Sequence, residues 1–190
     1  MSLAIRVGGR VGRPAAEVFD AVVNPKKLSS YFTTVGGASA PLVKGTTVTW
    51  WKDAPVEVIN LVQDELIVVR WDGGTDADNV RYKTTVEMKF DALDDGGTMV
   101  TISENGWRED DPGRRGQAAV SPLAWLMLLE QPLADAGKGR VYAQRTHHGS
   151  TADPAAAARG WRITRPATRL AAARASAETE IAAIGRKRID

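Results

Sequence analysis

The 190-residue chain contains no cysteine. That removes disulfides, thiolate nucleophiles and cysteine zinc sites together, and it fits a reducing compartment. Histidine is nearly as scarce, with only the adjacent His147 and His148. Neighbouring imidazoles without a third ligand do not build a metal site or a catalytic triad, so a solvated loop is expected there. Neither sign of charge dominates, since 25 Lys and Arg stand against 23 Asp and Glu for a net +2. Residues 151–190 hold eight basic and four acidic residues, about +4, which leaves 17 against 19, about −2, in the first 150. The basic tail lacks interleaved aromatics apart from Trp161, so a solvated helix is expected rather than a nucleic-acid partner. Long apolar runs are missing too. The longest, Pro122 to Leu129, falls far short of the ~20 residues that cross a bilayer, and the start, Met1 to Arg6, has no secretory pattern. Gly8, Gly9 and Gly12 lack phosphate-loop spacing, and Ser121 and Ser150 lack a nucleophile-elbow context. A cytoplasmic protein without a cofactor and without membrane insertion is expected.

What is present is strand. From Val80 to Phe90, Val80, Tyr82, Thr84, Val86, Met88 and Phe90 share one parity, while Arg81, Lys83, Thr85, Glu87 and Lys89 share the other. The two-residue period gives one dry face and one wet face. A one-residue slip would bury four charges, so the register is strongly specified. One-sided strands of this kind belong to antiparallel sheets. Further strands are read at Ile5–Val11, Thr46–Lys52, Val56–Val62, Leu66–Trp71 and Thr98–Ser103. Between them lie turn residues at Asp53-Ala-Pro, Gln63-Asp-Glu, Gly73-Gly74 and Asp94-Asp-Gly-Gly.

After the first strand, Pro14 opens a short helix with Ala15, Val18, Phe19, Val22 and Val23 on one face, ending near Asn24-Pro25. A second short helix runs from Lys26 to about Phe32, and Gly36-Gly37 closes the insert. Val120 to Leu129 predicts a buried helix limited by Pro122 and Pro132. The expected fold class is α+β: a curved antiparallel sheet of about seven strands, two short helices after the first strand, and a C-terminal helix over the concave face. Residues 1–137 are expected to form this domain, and residues 138–190 an Ala/Arg-rich extension.

The order of elements meets recognisable residues. Pro14-Ala-Ala-Glu-Val-Phe-Asp-Ala, Asn24-Pro-Lys-Lys-Leu-Ser-Ser-Tyr-Phe32, Gly45 before Val48-Thr-Trp-Trp, Pro55-Val-Glu-Val-Ile, Leu66 to Trp71, and Gly97-Thr-Met-Val-Thr-Ile-Ser-Glu-Asn-Gly-Trp107 resemble the START-like (SRPBCC, birch-pollen-allergen-like) superfamily. The branch they resemble is that of the C-terminal domain of the activator of the 90-kDa heat-shock protein ATPase, over about residues 3–111. The resemblance implies a helix-grip fold around an apolar cavity and no single reaction, since fold alone does not define chemistry. The proline-broken 116–129 segment and the residues after it depart from the family pattern.

Given such a fold, Phe19, Phe32, Trp50, Trp71, Tyr82, Val86, Met88, Ile102 and Trp125 are expected to face a small apolar ligand. Trp107 and Phe90 belong to the same aromatic set, with packing in the core as the alternative for each. Adjacency on a strand would send Trp50 and Trp51 to opposite faces, so they would not share a pocket. Glu104 has the inward parity of Val100 and Ile102 and is the one catalytic candidate; the alternative is a strand mouth with Arg108 as partner. Three functions follow: a ligand-binding module without covalent chemistry, a polyketide cyclase or aromatase-like enzyme using Glu104 with Tyr82 or Tyr31, and a chaperone ATPase-regulating partner. A homodimer is compatible with each.

Overall fold

The computed structural model describes residues 3–112 and 141–147. Strands β1 (Leu3–Val11), β2 (Thr47–Trp50), β3 (Ala54–Val62), β4 (Leu66–Thr75), β5 (Arg81–Ala92), β6 (Thr98–Trp107) and β7 (Val141–His147) form one curved, unclosed sheet in the order β2-β3-β4-β5-β6-β1-β7, all antiparallel. Helices α1 (Ala15–Val23) and α2 (Pro25–Tyr31) lie between β1 and β2. The long β1 to β2 connection carries the chain from one side of the sheet to the other, and the helical insert spans that distance. The α+β class and the insert agree with the sequence reading.

The parity argument holds along β5. Thr84, Val86, Met88 and Phe90 are buried, whereas Arg81, Lys83 and Lys89 are exposed. Val80 is the exception: it is 56% exposed, because it belongs to the turn before β5. There the Asp76 carboxylate accepts from the backbone N–H of Asp78 and of Val80, an Asx turn that pulls Val80 out of the ladder. The predicted break at Gly73-Gly74 is corrected as well. Strand β4 runs on to Thr75 through a bulge between Asp72 and Gly74, and the turn comes after it. Gly73 is needed there, since a Cβ would lie 2.6 Å from the Tyr82 ring.

Helix α1 buries Val18, Phe19 and Val22, with the Phe19 ring edge-on to Phe90 at 5.4 Å. Pro14 is its N-cap, so the helix begins after it, at Ala15, and not with it. Asn24 ends α1 and starts α2, its side chain accepting from the N–H of Lys26 and Lys27, with Pro25 at the first helical position. One apolar cluster joins these helices to the inner face of β1 through β6. The outer face is wet, and Lys83 pairs with Glu57 across it. The open edge of β2 is covered by residues 37–39, through Ser39 N–H to Thr49 O and Trp51 N–H to Gly37 O, which blocks pairing with another chain.

Strand β7 pairs with β1, Leu3 opposite His147, so His147 ends a strand instead of lying in a loop. The predicted helix at Val120–Leu129 and His148 fall outside the described residues. Among the described residues no helix is long and apolar enough to cross a membrane.

Candidate functional site

Phe32, Trp50, Trp51 and Trp71 form an aromatic group on the concave side. Trp50 is fully buried and meets Phe32 at 5.9 Å, Trp51 at 5.8 Å and Trp71 at 6.5 Å, each nearly edge-on. Trp51 lies 4.9 Å from Phe32 and 5.9 Å from Trp71. These are favourable ring separations, each adding roughly 0.5–1.5 kcal/mol beyond area burial. Trp51 and Trp71 remain half-buried, so the group runs from the core to the open side of the sheet.

Adjacency therefore did not separate Trp50 from Trp51. Strand β2 stops at Trp50, and Trp51 and Lys52 take φ of 46° and 79°, which turns the backbone so that the second indole swings back beside the first. The turn is pinned twice. Trp51 Nε1–H donates to Phe32 O at 3.1 Å, and the Lys52 backbone packs so close to Gly36 that a Cβ there would lie 2.6 Å from Lys52 N. Left-handed φ is costly for bulky residues, and the early Asp53-Ala-Pro break was the only sequence signal of a tight turn.

Glu104 points inward. It is fully buried, and its Oε1 accepts from Trp71 Nε1–H at 2.8 Å and from Thr84 Oγ1–H at 2.7 Å. Three neighbouring strands supply the arrangement: Trp71 faces Thr84 across β4 and β5, and Val86 faces Glu104 across β5 and β6. The strand-mouth alternative with Arg108 is not what forms. Arg108 pairs instead with Asp110 and with the buried Asp76 carboxylate, and those acids, Asp110 first, hold its guanidinium pKa up. After Glu104, Gly106 takes φ 95° in an irregular stretch of the β1 to β6 register, and Trp107 returns to the inside against Ile5.

A second polar contact lies on the same face of β5, where Tyr82 donates its hydroxyl to Asp111 Oδ2 at 2.7 Å and Asp111 is itself buried. Neither Thr84 nor Asp111 was singled out from sequence. Thr84 carried a signal, a polar residue at inward parity opposite a tryptophan; Asp111 carried none. The remaining tyrosine candidate, Tyr31, donates to Ala21 O at 3.0 Å, and burial raises its pKa well above the ordinary phenol value. Its hydroxyl serves a carbonyl in the last turns of α1.

Of the expected ligand-facing residues, Phe19, Phe32, Trp50, Val86, Met88 and Ile102 are brought together in one buried cluster with Trp71 packed against it. Tyr82 lies on the same face, half-buried, at its polar end. Trp125 lies outside the described residues. The indole N–H groups of Trp50 and Trp107 are buried and have no acceptor among the described residues. No group of three His, Asp or Glu close enough to hold a metal occurs among the described residues.

The fold is similar to that of an Hsp90 activator from Plasmodium falciparum, with a TM-score of 0.60 at 13% identity over 76% of this chain and 99% of that one. CalU16 from Micromonospora echinospora gives 0.55 at 16% identity, over 72% and 75% of the two chains. The Aha1 dimer from Colwellia psychrerythraea gives 0.54 at 14% identity, over 73% and 99%. No curated sequence matches the chain significantly. The profile described as Activator of Hsp90 ATPase homolog 1-like protein matches residues 13–131, and on that match, over a curved sheet with its two-helix insert, the chain belongs to this family within the START-like superfamily.

Proposed function

We propose that this protein holds a small, mainly apolar molecule against the concave face of its sheet, in the cytoplasm and without covalent chemistry. The observation that carries this reading is the aromatic group. Four large rings converge on one side of the sheet, and two of them, Trp51 and Trp71, remain half-buried instead of closing completely into the core. Aromatic surface of this kind grips flat or aliphatic guests by area and shape. Native mass spectrometry and thermal-shift screening of the full chain against fatty acids, flavonoids and aromatic polyketides test it. A retained guest with a raised Tm supports the reading. No mass adduct and no shift across the panel would sink it.

The cyclase-like alternative keeps its inward carboxylate, Glu104, but Tyr31 is committed to Ala21 O and so does not serve as its proton donor. A second reading is favoured by the family match and by the Plasmodium Hsp90 activator: contact with a chaperone ATPase through the protein's surface. The Colwellia structure, described as a dimer, supports self-association as part of that reading. Stimulation of chaperone ATP turnover by the purified chain is the result this second reading requires. Unchanged turnover together with no co-elution would remove it.

A further inference from the structure

Charge is unevenly placed on the described part of the molecule. Residues 24–53, from the cap of α2 to the turn after β2, hold four lysines against the single acid Asp53, a net of +3. The rest of the described chain holds nine Lys and Arg against sixteen Asp and Glu, a net of −7. The same stretch exposes two valines, Val35 at 66% and Val43 at 54%.

Backbone contacts make this stretch one margin of the molecule. Leu42 N–H donates to Val23 O at 3.2 Å, which brings the Leu42–Lys44 run against the α1–α2 junction, just before Lys26. Thr46 N–H returns to Val43 O at 3.1 Å, closing the turn that bears Val43 and Lys44, and Gly45 N–H ties it to Val58 O at 2.8 Å. At the other end Gly37 N–H donates to Thr33 O at 3.0 Å, closing the turn that bears Val35, and Gly36 lies against the Lys52 backbone. Residues 37–39 already take up backbone groups of β2, so strand addition is closed along this margin and a partner meets side chains.

Those side chains define the partner's chemistry. Lys27 is paired with Asp20, whereas Lys26, Lys44 and Lys52 are exposed and have no ion pair among the described residues. No arginine occurs in 24–53, and its aromatics, Tyr31, Phe32, Trp50 and Trp51, are buried or half-buried. Protein interfaces are anchored by Trp, Tyr and Arg and are depleted in Lys. Lysines around exposed aliphatic side chains suit a lipid surface instead, where ammonium groups meet anionic headgroups and small apolar groups reach the acyl boundary.

We propose that this margin docks the protein, reversibly and without spanning, on an anionic membrane surface, with Lys26, Lys44 and Lys52 on the headgroups and Val35 and Val43 at the acyl boundary. Each lysine near such a surface raises partitioning about fivefold, so the three together contribute about a hundredfold. The docking uses none of the ring contacts of the concave face and stands independently of the apolar-guest reading.

The experiment co-sediments the full chain with phosphatidylcholine vesicles, with and without phosphatidylglycerol. Binding to the anionic vesicles alone, weakened by added salt, is the expected result. The triple reversal Lys26→Glu, Lys44→Glu and Lys52→Glu should lower partitioning about a hundredfold or more, with far-UV circular dichroism unchanged. Val43→Asp should lower it severalfold. Should the triple variant fail to fold, Lys44→Glu alone, in its exposed turn, should lower partitioning about fivefold or more, and no change there overturns the proposal. Equal binding to both vesicles, or binding to neither, overturns it. Undiminished binding by a folded triple variant also overturns it, because the contact would then lie elsewhere, as in the basic residues 151–190. A chain that ignores vesicles but is retained by poly-glutamate overturns it in favour of an acidic protein partner.

Discussion

Replacing Thr84 by valine isolates the contact that joins the sheet to Glu104. Thr84 is fully buried, and its hydroxyl lies 2.7 Å from Glu104 Oε1. Valine has nearly the same shape, so packing is conserved and only the hydroxyl is lost. Taking one partner from a buried hydrogen bond costs about 1–3 kcal/mol, and Thr84→Val should destabilise by about 2 kcal/mol. For a chain of this size that corresponds to a fall in Tm of about 4–8 °C. Thr84→Ser is the control. It keeps the hydroxyl and gives up one methyl, a loss of about 1 kcal/mol. Urea unfolding followed by far-UV circular dichroism measures both, as shifts in midpoint at constant slope. A Thr84→Val protein as stable as Thr84→Ser, or within about 0.5 kcal/mol of the unaltered chain, would show that the hydroxyl bond to Glu104 does not contribute as argued.

Three further outcomes follow from the same geometry. Gly36→Ala forces a Cβ to within 2.6 Å of Lys52 N at φ +84°, so it should cost well over 1 kcal/mol and move the Trp51 fluorescence, while Gly45→Ala, at φ +81° but in open space, should cost only about 1 kcal/mol. Asn24→Ala removes the acceptor for two backbone N–H groups at the start of α2 and should lower stability by about 1 kcal/mol in urea titrations. Asp95 is held below its ordinary pKa of 3.8, first by the Gly97 N–H and then by Arg10. A carboxylate with a lowered folded pKa stabilises fully above its unfolded value and loses that contribution as pH falls through the folded one. The stability gap between the unaltered protein and Asp95→Asn should accordingly be flat above about pH 5 and close below pH 3.8; a gap that widens in acid would contradict the assignment.

The strands were legible where one face is dry and the other wet. In β5 and β6 the alternation of Val86, Met88 and Phe90, and of Val100 and Ile102, fixed both register and facing, and it brought Glu104 inward as its parity required. Strand β7 was not legible, because Val141-Tyr-Ala-Gln-Arg-Thr-His147 carries no apolar alternation and gains its place by pairing with β1. Strand β4 read short because two glycines usually mark a turn, whereas here they form a bulge that accommodates the Tyr82 ring. The aromatic group was half legible. Its members stood out by size, but whether Trp51 joins Trp50 depends on two backbone dihedrals and on the absence of a Cβ at Gly36, neither of which periodicity encodes. Thr84 and Asp111 were missed for a related reason, since a buried polar contact is set by strands and loops distant in sequence.

The most direct test of the central claim is a two-dimensional proton–nitrogen spectrum of the full chain, recorded while 2-naphthol, a small aromatic probe, is added. Binding on the concave face should shift the indole N–H signals of Trp71 and Trp51 and leave the side-chain Nε–H signals of Arg70 and Arg81, which are exposed on the outer face, in place. Shifts confined to those outer-face arginine signals, or a spectrum unchanged at millimolar naphthol, would contradict it.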